Sequence, residues 1–226
     1  MCGRYSQTRS LAELKSRFHS RSALADLHRR YNLAPSQPAP VIVADGDRVL
    51  DLYRWGLIPS WSKDPKIGHK MINARAETIA EKPAFRRPFQ RQRCLVPADG
   101  FYEWKTDPTK PPKTARMPMR ITLQSKEPFA FAGLWDRWHD AEGRETRSFT
   151  ILTTAANDLV ASIHDRMPVM LQPQDEAPWL DPTSDLDTLR SLLKPYPAEA
   201  MTAYQVSLVV NSPRNDSPDC LVPASP

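Results

Sequence analysis

Twenty-three prolines stand against seven glycines in this 226-residue sequence, and they restrict its fold more than any other feature. Proline locks its own φ near about −65°, donates no backbone hydrogen bond, and drives the preceding residue out of the helical region. A chain punctuated in this way is made of extended segments and fixed turns, with room only for short helices. One such helix is read over residues 10–18, where Leu11, Leu14 and Phe18 recur at helical spacing. Another is read over 186–193, starting near Ser184 or Asp185 and stopped before Pro195. Tyr31-Asn-Leu-Ala-Pro-Ser-Gln-Pro-Ala-Pro reads as an extended loop, and residues 41–44 and 49–55 as a hairpin around Asp45-Gly46-Asp47. Residues 94–104 read as two strand pieces broken at Asp99-Gly100, with further strands at 119–123, 129–134 and 149–154. With no internal repeat or low-complexity linker, these elements favour a single α+β domain over residues 1–226, dominated by antiparallel strands with helices at its periphery.

Several classes are disfavoured. No apolar run is long enough to cross a bilayer, and Met-Cys-Gly-Arg-Tyr-Ser-Gln lacks the apolar stretch of a secretory leader. The three cysteines, Cys2, Cys94 and Cys220, are odd in number and widely spaced, which argues for a reducing compartment and a cytoplasmic location. Those cysteines with His69 do not fall in the close pairs of zinc sites, so neither metal nor cofactor is expected. Charge is unevenly placed: residues 1–120 carry 23 basic against 11 acidic side chains, and residues 121–226 carry 8 against 15. A net +12 on the first part suits a polyanionic partner. Basic residues from Arg54 to Arg93 interleave with Trp55, Trp61, Phe85 and Phe89, a mixture fit for single-stranded nucleic acid, where cations track phosphates and rings stack on bases.

The chemistry centres on Cys2. Removal of Met1 leaves it with a free α-amine beside its thiol, with ordinary pKa values of roughly 7.7–8.0 and about 8.5. Two nucleophiles on one residue close a five-membered ring with an aldehyde: the amine forms a Schiff base and the thiol adds to give a thiazolidine. With an amide, the thiol would instead attack while the amine serves as base.

Around Cys2 stands an ordered set of motifs: Met1-Cys-Gly-Arg, Tyr31-Asn-Leu-Ala-Pro, Trp55-Gly-Leu-Ile-Pro-Ser-Trp, Ile72-Asn-Ala-Arg-Ala-Glu-Thr, Cys94-Leu-Val-Pro-Ala-Asp-Gly-Phe-Tyr-Glu-Trp, Ile163-His-Asp-Arg-Met-Pro and Asn211-Ser-Pro-Arg-Asn. The set closely resembles the SRAP family, the SOS response-associated peptidases or abasic site processing proteins, over nearly the whole chain. The resemblance implies a mainly antiparallel, barrel-like core and a monomer that captures abasic sites in single-stranded DNA through the amino-terminal Cys. Autoproteolytic loss of Met1 is compatible with the family's older name of peptidase. The family's active-site Asn, Glu and His match Asn73, Glu103 and His164, and its phosphate-contacting arginines match Arg75 and Arg166, with Arg4 near the nucleophile. Its wedge of Pro and Trp looks like Pro35 and Trp61, its Thr near the His looks like Thr153, and Arg4 and Asn32 are read with these as DNA-binding. Where many members carry a second aromatic after the Trp, this chain has Ser62, which implies a smaller stacking surface.

The residue types suit these roles. A carboxyl between Tyr102 and Trp104 in a partly apolar setting has a raised pKa and shuttles protons. Asn73 donates and accepts, His164 assists opening of the sugar, and arginine forks fit phosphates. Two other functions remain open on the sequence: an amino-terminal-nucleophile peptidase or amidohydrolase, and a module that binds single strands without bonding to them.

Overall fold

The structure, a computed structural model, describes residues 2–109, 111 and 115–224. Its strands are β1 (Tyr5–Gln7), β2 (Arg30–Leu33), β3 (Pro38–Asp45), β4 (Asp47–Trp55), β5 (Asn73–Arg75), β6 (Arg93–Ala98) and β7 (Gly100–Thr106). They continue with β8 (Arg116–Leu123), β9 (Phe129–His139), β10 (Glu145–Ala155), β11 (Arg166–Pro168), β12 (Met170–Leu171) and β13 (Met201–Gln205). The helices are short: α1 (Leu11–Phe18), α2 (Pro83–Arg91), α3 (Asp158–Ala161), α4 (Glu176–Leu180) and α5 (Leu186–Ser191).

Five strands close on themselves. β10 pairs with β4, β4 with β3, β3 with β6, β6 with β9, and β9 returns to β10. This ring is the barrel-like core that the resemblance implied, and closure removes the exposed edges an open sheet would carry. Most of its pairings are antiparallel, but β4 and β5 run parallel to β10. A second, antiparallel sheet has the order β13-β8-β7-β1-β2.

Side chains alternate along the barrel strands between two cores. Val41, Val43, Cys94, Val96, Phe131, Phe149 and Ile151 turn inward with Trp55 and meet Tyr5, Phe101 and Ile121 of the second sheet. Ile42, Leu95, Ala130, Ala132 and Leu152 turn outward beneath Leu14 and Phe18 of α1, Phe89 of α2 and Trp179 of α4. Both faces are thus covered, which is why these strands read as apolar runs rather than as polar-apolar alternation. Trp179 also donates from Nε1 to the Cys94 carbonyl at 2.9 Å. Truncating a buried side chain of this size costs about 3–5 kcal/mol.

Most elements stand where the sequence puts them. Ser10 caps α1, accepting from Glu13 N while the Glu13 carboxylate returns to Ser10 N, and Asp185 caps α5, which ends at Ser191. The break at Asp99-Gly100 carries the chain from barrel to second sheet. There the Asp99 carboxylate accepts from Ser6 Oγ and Thr8 N, both at 2.6 Å, and from Arg120 Nη2 at 3.1 Å.

Two readings need correction. Residues 31–40 are not one loop, since β2 and the start of β3 lie within them. Pro38 and Pro40 are tolerated because β3 pairs with β6 only at Ile42 and Val43, so their missing N–H groups fall on an unpaired edge. Helix α2 was hidden by its prolines. Pro83 stands at its start, where no donor is needed, and Pro88 lies inside it. Buried Arg93 caps its end, donating to the carbonyls of Phe89 at 2.8 Å and Gln90 at 2.7 Å.

Gly56 governs the entry to the Trp61 segment. It has φ +113°, and a Cβ there would stand 2.5 Å from the Gly68 carbonyl oxygen. Gly56→Ala is therefore expected to cost at least about 1–3 kcal/mol, from the backbone conformation alone. A urea midpoint equal to wild type would show that the 56–68 contact yields freely.

Candidate active site

Strand β1 draws the amino terminus into the molecule. Tyr5 pairs with Leu33 on one side and Phe101 on the other, and Tyr102 N donates to the Arg4 carbonyl at 2.9 Å. Cys2 is consequently fully buried, with Sγ 3.9 Å from the Arg4 carbonyl oxygen. Met1 lies outside the described residues, as does its removal.

Arg4 is held on all sides. Its Nη1 donates to Asn32 Oδ1 at 2.8 Å and to the Val210 carbonyl at 2.9 Å, and the guanidinium lies 5.7 Å from the Trp104 ring centre. Asn32 is itself buried and donates to the carbonyls of Val210, Ser212 and Asn215, knitting the Asn211-Ser-Pro-Arg-Asn segment onto β2.

Glu103, on the inner face of β7, is only 3% exposed. Burial pushes its carboxyl above the ordinary value, and the positive field of His164 works against that rise. Burial likewise pushes the Cys2 thiol well up, and the charge of Glu103 pushes it further. These fields link Glu103 with Cys2 on one side and with His164 on the other. They also correct the expectation of an ordinary thiol, because a thiol in this setting keeps its proton at neutral pH.

His164 follows α3, and its Nδ1 lies 2.8 Å from Asp165 Oδ1 and 3.0 Å from Arg166 N. A protonated Nδ1 donates to Asp165, and a bare Nδ1 accepts from Arg166, so the ring has a partner in either state.

A second group gathers at the end of β10. Parallel β5 sets Asn73 opposite Ile151 and Arg75 opposite Thr153, while β11 sets Pro168 opposite Thr153 from the other side. Both amide atoms of Asn73 are shut off from water and have no hydrogen-bond partner among the described residues. A buried amide without partners is costly, and a ligand group that satisfied it would gain accordingly. Arg75 is exposed. Arg166 donates from Nη2 to Thr153 O at 2.7 Å and forms a two-pronged pair with Glu77, Nη1 to Oε1 at 2.6 Å and Nη2 to Oε2 at 3.0 Å. Glu77 had no assigned role on the sequence. It lies inside the Ile72–Thr78 motif, but nothing local says which arginine it meets.

Pro35 and Trp61 lie in the turns that follow β2 and β4. Pro35 opens a turn in which Ser36 has φ 71°, Ser36 N donates to Trp55 O at 2.8 Å, and Ser36 Oγ contacts His69 Nδ1 at 3.1 Å. Trp61 is 61% exposed, far more than any other aromatic side chain among the large apolar residues at the surface. Among the described residues no cluster of His, Cys, Asp and Glu could hold a metal ion, and no helix is long and apolar enough to cross a membrane.

The chain is similar to known proteins over nearly its whole length. The family model described as SOS response associated peptidase (SRAP) matches residues 1–213. The chain is 50% identical to the abasic site processing protein YoqW of Bacillus subtilis, covering 98% of this chain and 99% of that one. It is 35% identical to the abasic site processing protein HMCES of Xenopus tropicalis, over 84% of this chain and 65% of that longer protein. A crystal structure of a protein from Bacteroides thetaiotaomicron superposes with a TM-score of 0.90 at 30% identity, covering 99% of this chain and all of the other.

The raised Glu103 carboxyl has a consequence for stability. Below the ordinary carboxyl pKa of about 4.3 both folded and unfolded chains hold the proton. As pH rises through that value the unfolded chain ionises first, so stability falls until the raised folded value is passed. Glu103→Gln, neutral throughout, is expected to resist urea increasingly better than wild type as pH rises above about 4, until the raised folded value is passed. A difference in midpoint that does not change with pH would mean the carboxyl is not held protonated.

Proposed function

The chain belongs to the SOS response-associated peptidase family, and from that membership we propose that it processes abasic sites in single-stranded DNA by covalent capture on Cys2. The observation that carries the proposal is the burial of the Cys2 thiol beside a carboxyl, Glu103, whose pKa is itself raised by burial. A thiol that keeps its proton is a poor first nucleophile, so the α-amine exposed by loss of Met1 attacks the open-chain aldehyde first.

Protons then balance within the site. Protonated Glu103 gives its proton to the carbinolamine hydroxyl, which leaves as water, and the bond between nitrogen and carbon becomes an iminium. The Glu103 carboxylate next takes the thiol proton as Sγ bonds to the iminium carbon, which closes a neutral thiazolidine and restores the acid. His164, with a partner for Nδ1 in either protonation state, serves the opening and reclosing of the sugar. Asn73 offers the reacting sugar or amine a donor and an acceptor that nothing else occupies among the described residues. Arg75 and Arg166, with Thr153, lie at the end of β10 where flanking phosphates would run. Exposed Trp61 and the Pro35 turn offer a stacking surface. Arg4 and Asn32 act through position, by fixing the segment that carries Cys2. Loss of Met1 by the protein's own peptidase chemistry, and release of the adduct by a lyase-type reversal, belong to the same reading.

Denaturing electrophoresis with a single strand bearing one abasic site tests it. Wild type is expected to give a band carrying one protein and one strand, Cys2→Ala to give none of wild-type stability, and a residue added ahead of Cys2 to abolish capture. Glu103→Gln should slow adduct formation by about 10²–10⁴-fold without weakening noncovalent binding. If the complex with wild-type protein dissociates on denaturation, the chain is a binding module only, and cleavage of peptides by Met1-free protein would favour the peptidase. Trp61→Ala should weaken single-strand binding by about 1–3 kcal/mol while leaving the melting temperature unchanged. Equal affinity would place the bases elsewhere.

A further inference from the structure

The guanidinium of Arg166 already holds an anion. Glu77 sits in the single 3-10 turn Ala76–Thr78 that leaves β5 directly after Arg75. Its two oxygens meet the two terminal nitrogens of Arg166 at 2.6 and 3.0 Å. Arginine offers that same fork to carboxylates and to phosphates.

The two partners are anchored very differently. The Arg166 side chain is 13% exposed and that of Glu77 51%. Arg166 has a second hold that does not involve Glu77, since Nη2 donates to Thr153 O at 2.7 Å and reaches Thr153 Oγ1 at 3.2 Å. If the carboxylate left, the fork would stay aimed. The carboxylate also has somewhere to go: a cavity of about 320 Å³ beside it is lined by Glu77 itself, Ala80, Thr154 and Arg190. Arg190 supplies a cation on that side, at present 3.3 Å from Asp187.

We propose that Glu77 is an internal stand-in for a DNA phosphate, holding Arg166 in the free protein and swinging into the neighbouring cavity when a strand binds. The inference rests on the reading of Arg166 as a phosphate contact. Every strand, damaged or not, must then displace Glu77, so undamaged DNA is bound more weakly than the basic surface alone would bind it. An abasic strand bears the same cost but is retained by the bond to Cys2. Glu77 is on this account a specificity residue acting through Arg166, and it touches no reacting atom.

Binding of a labelled, undamaged single strand across a KCl series tests the idea with wild type and the variants E77Q, E77A, R166A and E77Q/R166A. E77Q and E77A should each bind about two- to fivefold more tightly than wild type, the range expected for loss of one exposed competing charge. The log–log salt slope should steepen by about 0.7, one more effective charge on a single strand. R166A should bind more weakly with a shallower slope, and E77Q should add nothing in the R166A background. E77Q and E77A binding no more tightly than wild type overturns the proposal and leaves Glu77 as a strut for Arg166. An equal gain with and without Arg166 also overturns it, since the effect would then be one of net charge. An unchanged slope in R166A instead removes the phosphate reading itself, and this inference with it, so the two failures are read from different variants.

Discussion

A strand of three residues holds the site together. β1 lies inside the second sheet, paired with β2 on one edge and β7 on the other, although it begins only four residues after the initiator. An amino terminus ordinarily frays because few contacts tie it down. Here Tyr5 stands between Trp55 and Phe131, with ring centres 5.1 and 5.7 Å away, and Ser6 joins the Asp99–Arg120 ion pair. Those contacts anchor the chain three residues beyond Cys2. Because β1 pairs with β7, the strand that carries Glu103 is the one that receives the amino terminus, so nucleophile and acid share a support.

Burial prevails in one half of the site and ion pairing in the other. Around Cys2 and Glu103 it disfavours charge, and both groups are driven toward their protonated forms. Such a pair can pass a proton back and forth without exposing a buried ion to an apolar setting. Around Arg166 and Glu77 the reverse holds. Their hydrogen bonds keep the Glu77 carboxyl below its usual value and ionised. Neutral chemistry and ionic recognition are thus kept in adjoining but distinct environments, with His164 and Arg166 two residues apart linking them.

The barrel explains that junction. Parallel β5 and antiparallel β11 flank the last residues of β10, so a segment from far earlier in the chain ends beside β10 and the strand that follows it. Closure through β9 and β10 fixes the wall on which they stand, and Arg93 braces it from outside by donating to the carbonyls of Phe89, Gln90, Trp179 and Asp181.

Much of this was legible before any coordinates. The prolines ruled out long helices, the apolar runs marked the barrel strands, and Ser10 and Asp185 announced their helices, while it was the family resemblance that singled out Cys2, Asn73, Glu103 and His164. Local chemistry suffices for such features, because a cap, a turn or a nucleophile is set by residues within a few positions of one another. The prolines also misled, hiding α2 and masking β3, since whether a missing N–H matters depends on which strand or carbonyl lies opposite. The same limit applied to charge. That Arg166 meets Glu77, that Arg4 is spent on Asn32 and Val210, and that the Cys2 thiol is protonated beside Glu103 all depend on contacts between distant segments. The sequence by itself determined the chemical groups and the extended, short-helix character of the chain. Only the tertiary structure decided which groups are buried and which charges meet, because desolvation and ion pairing are properties of what surrounds a side chain in space.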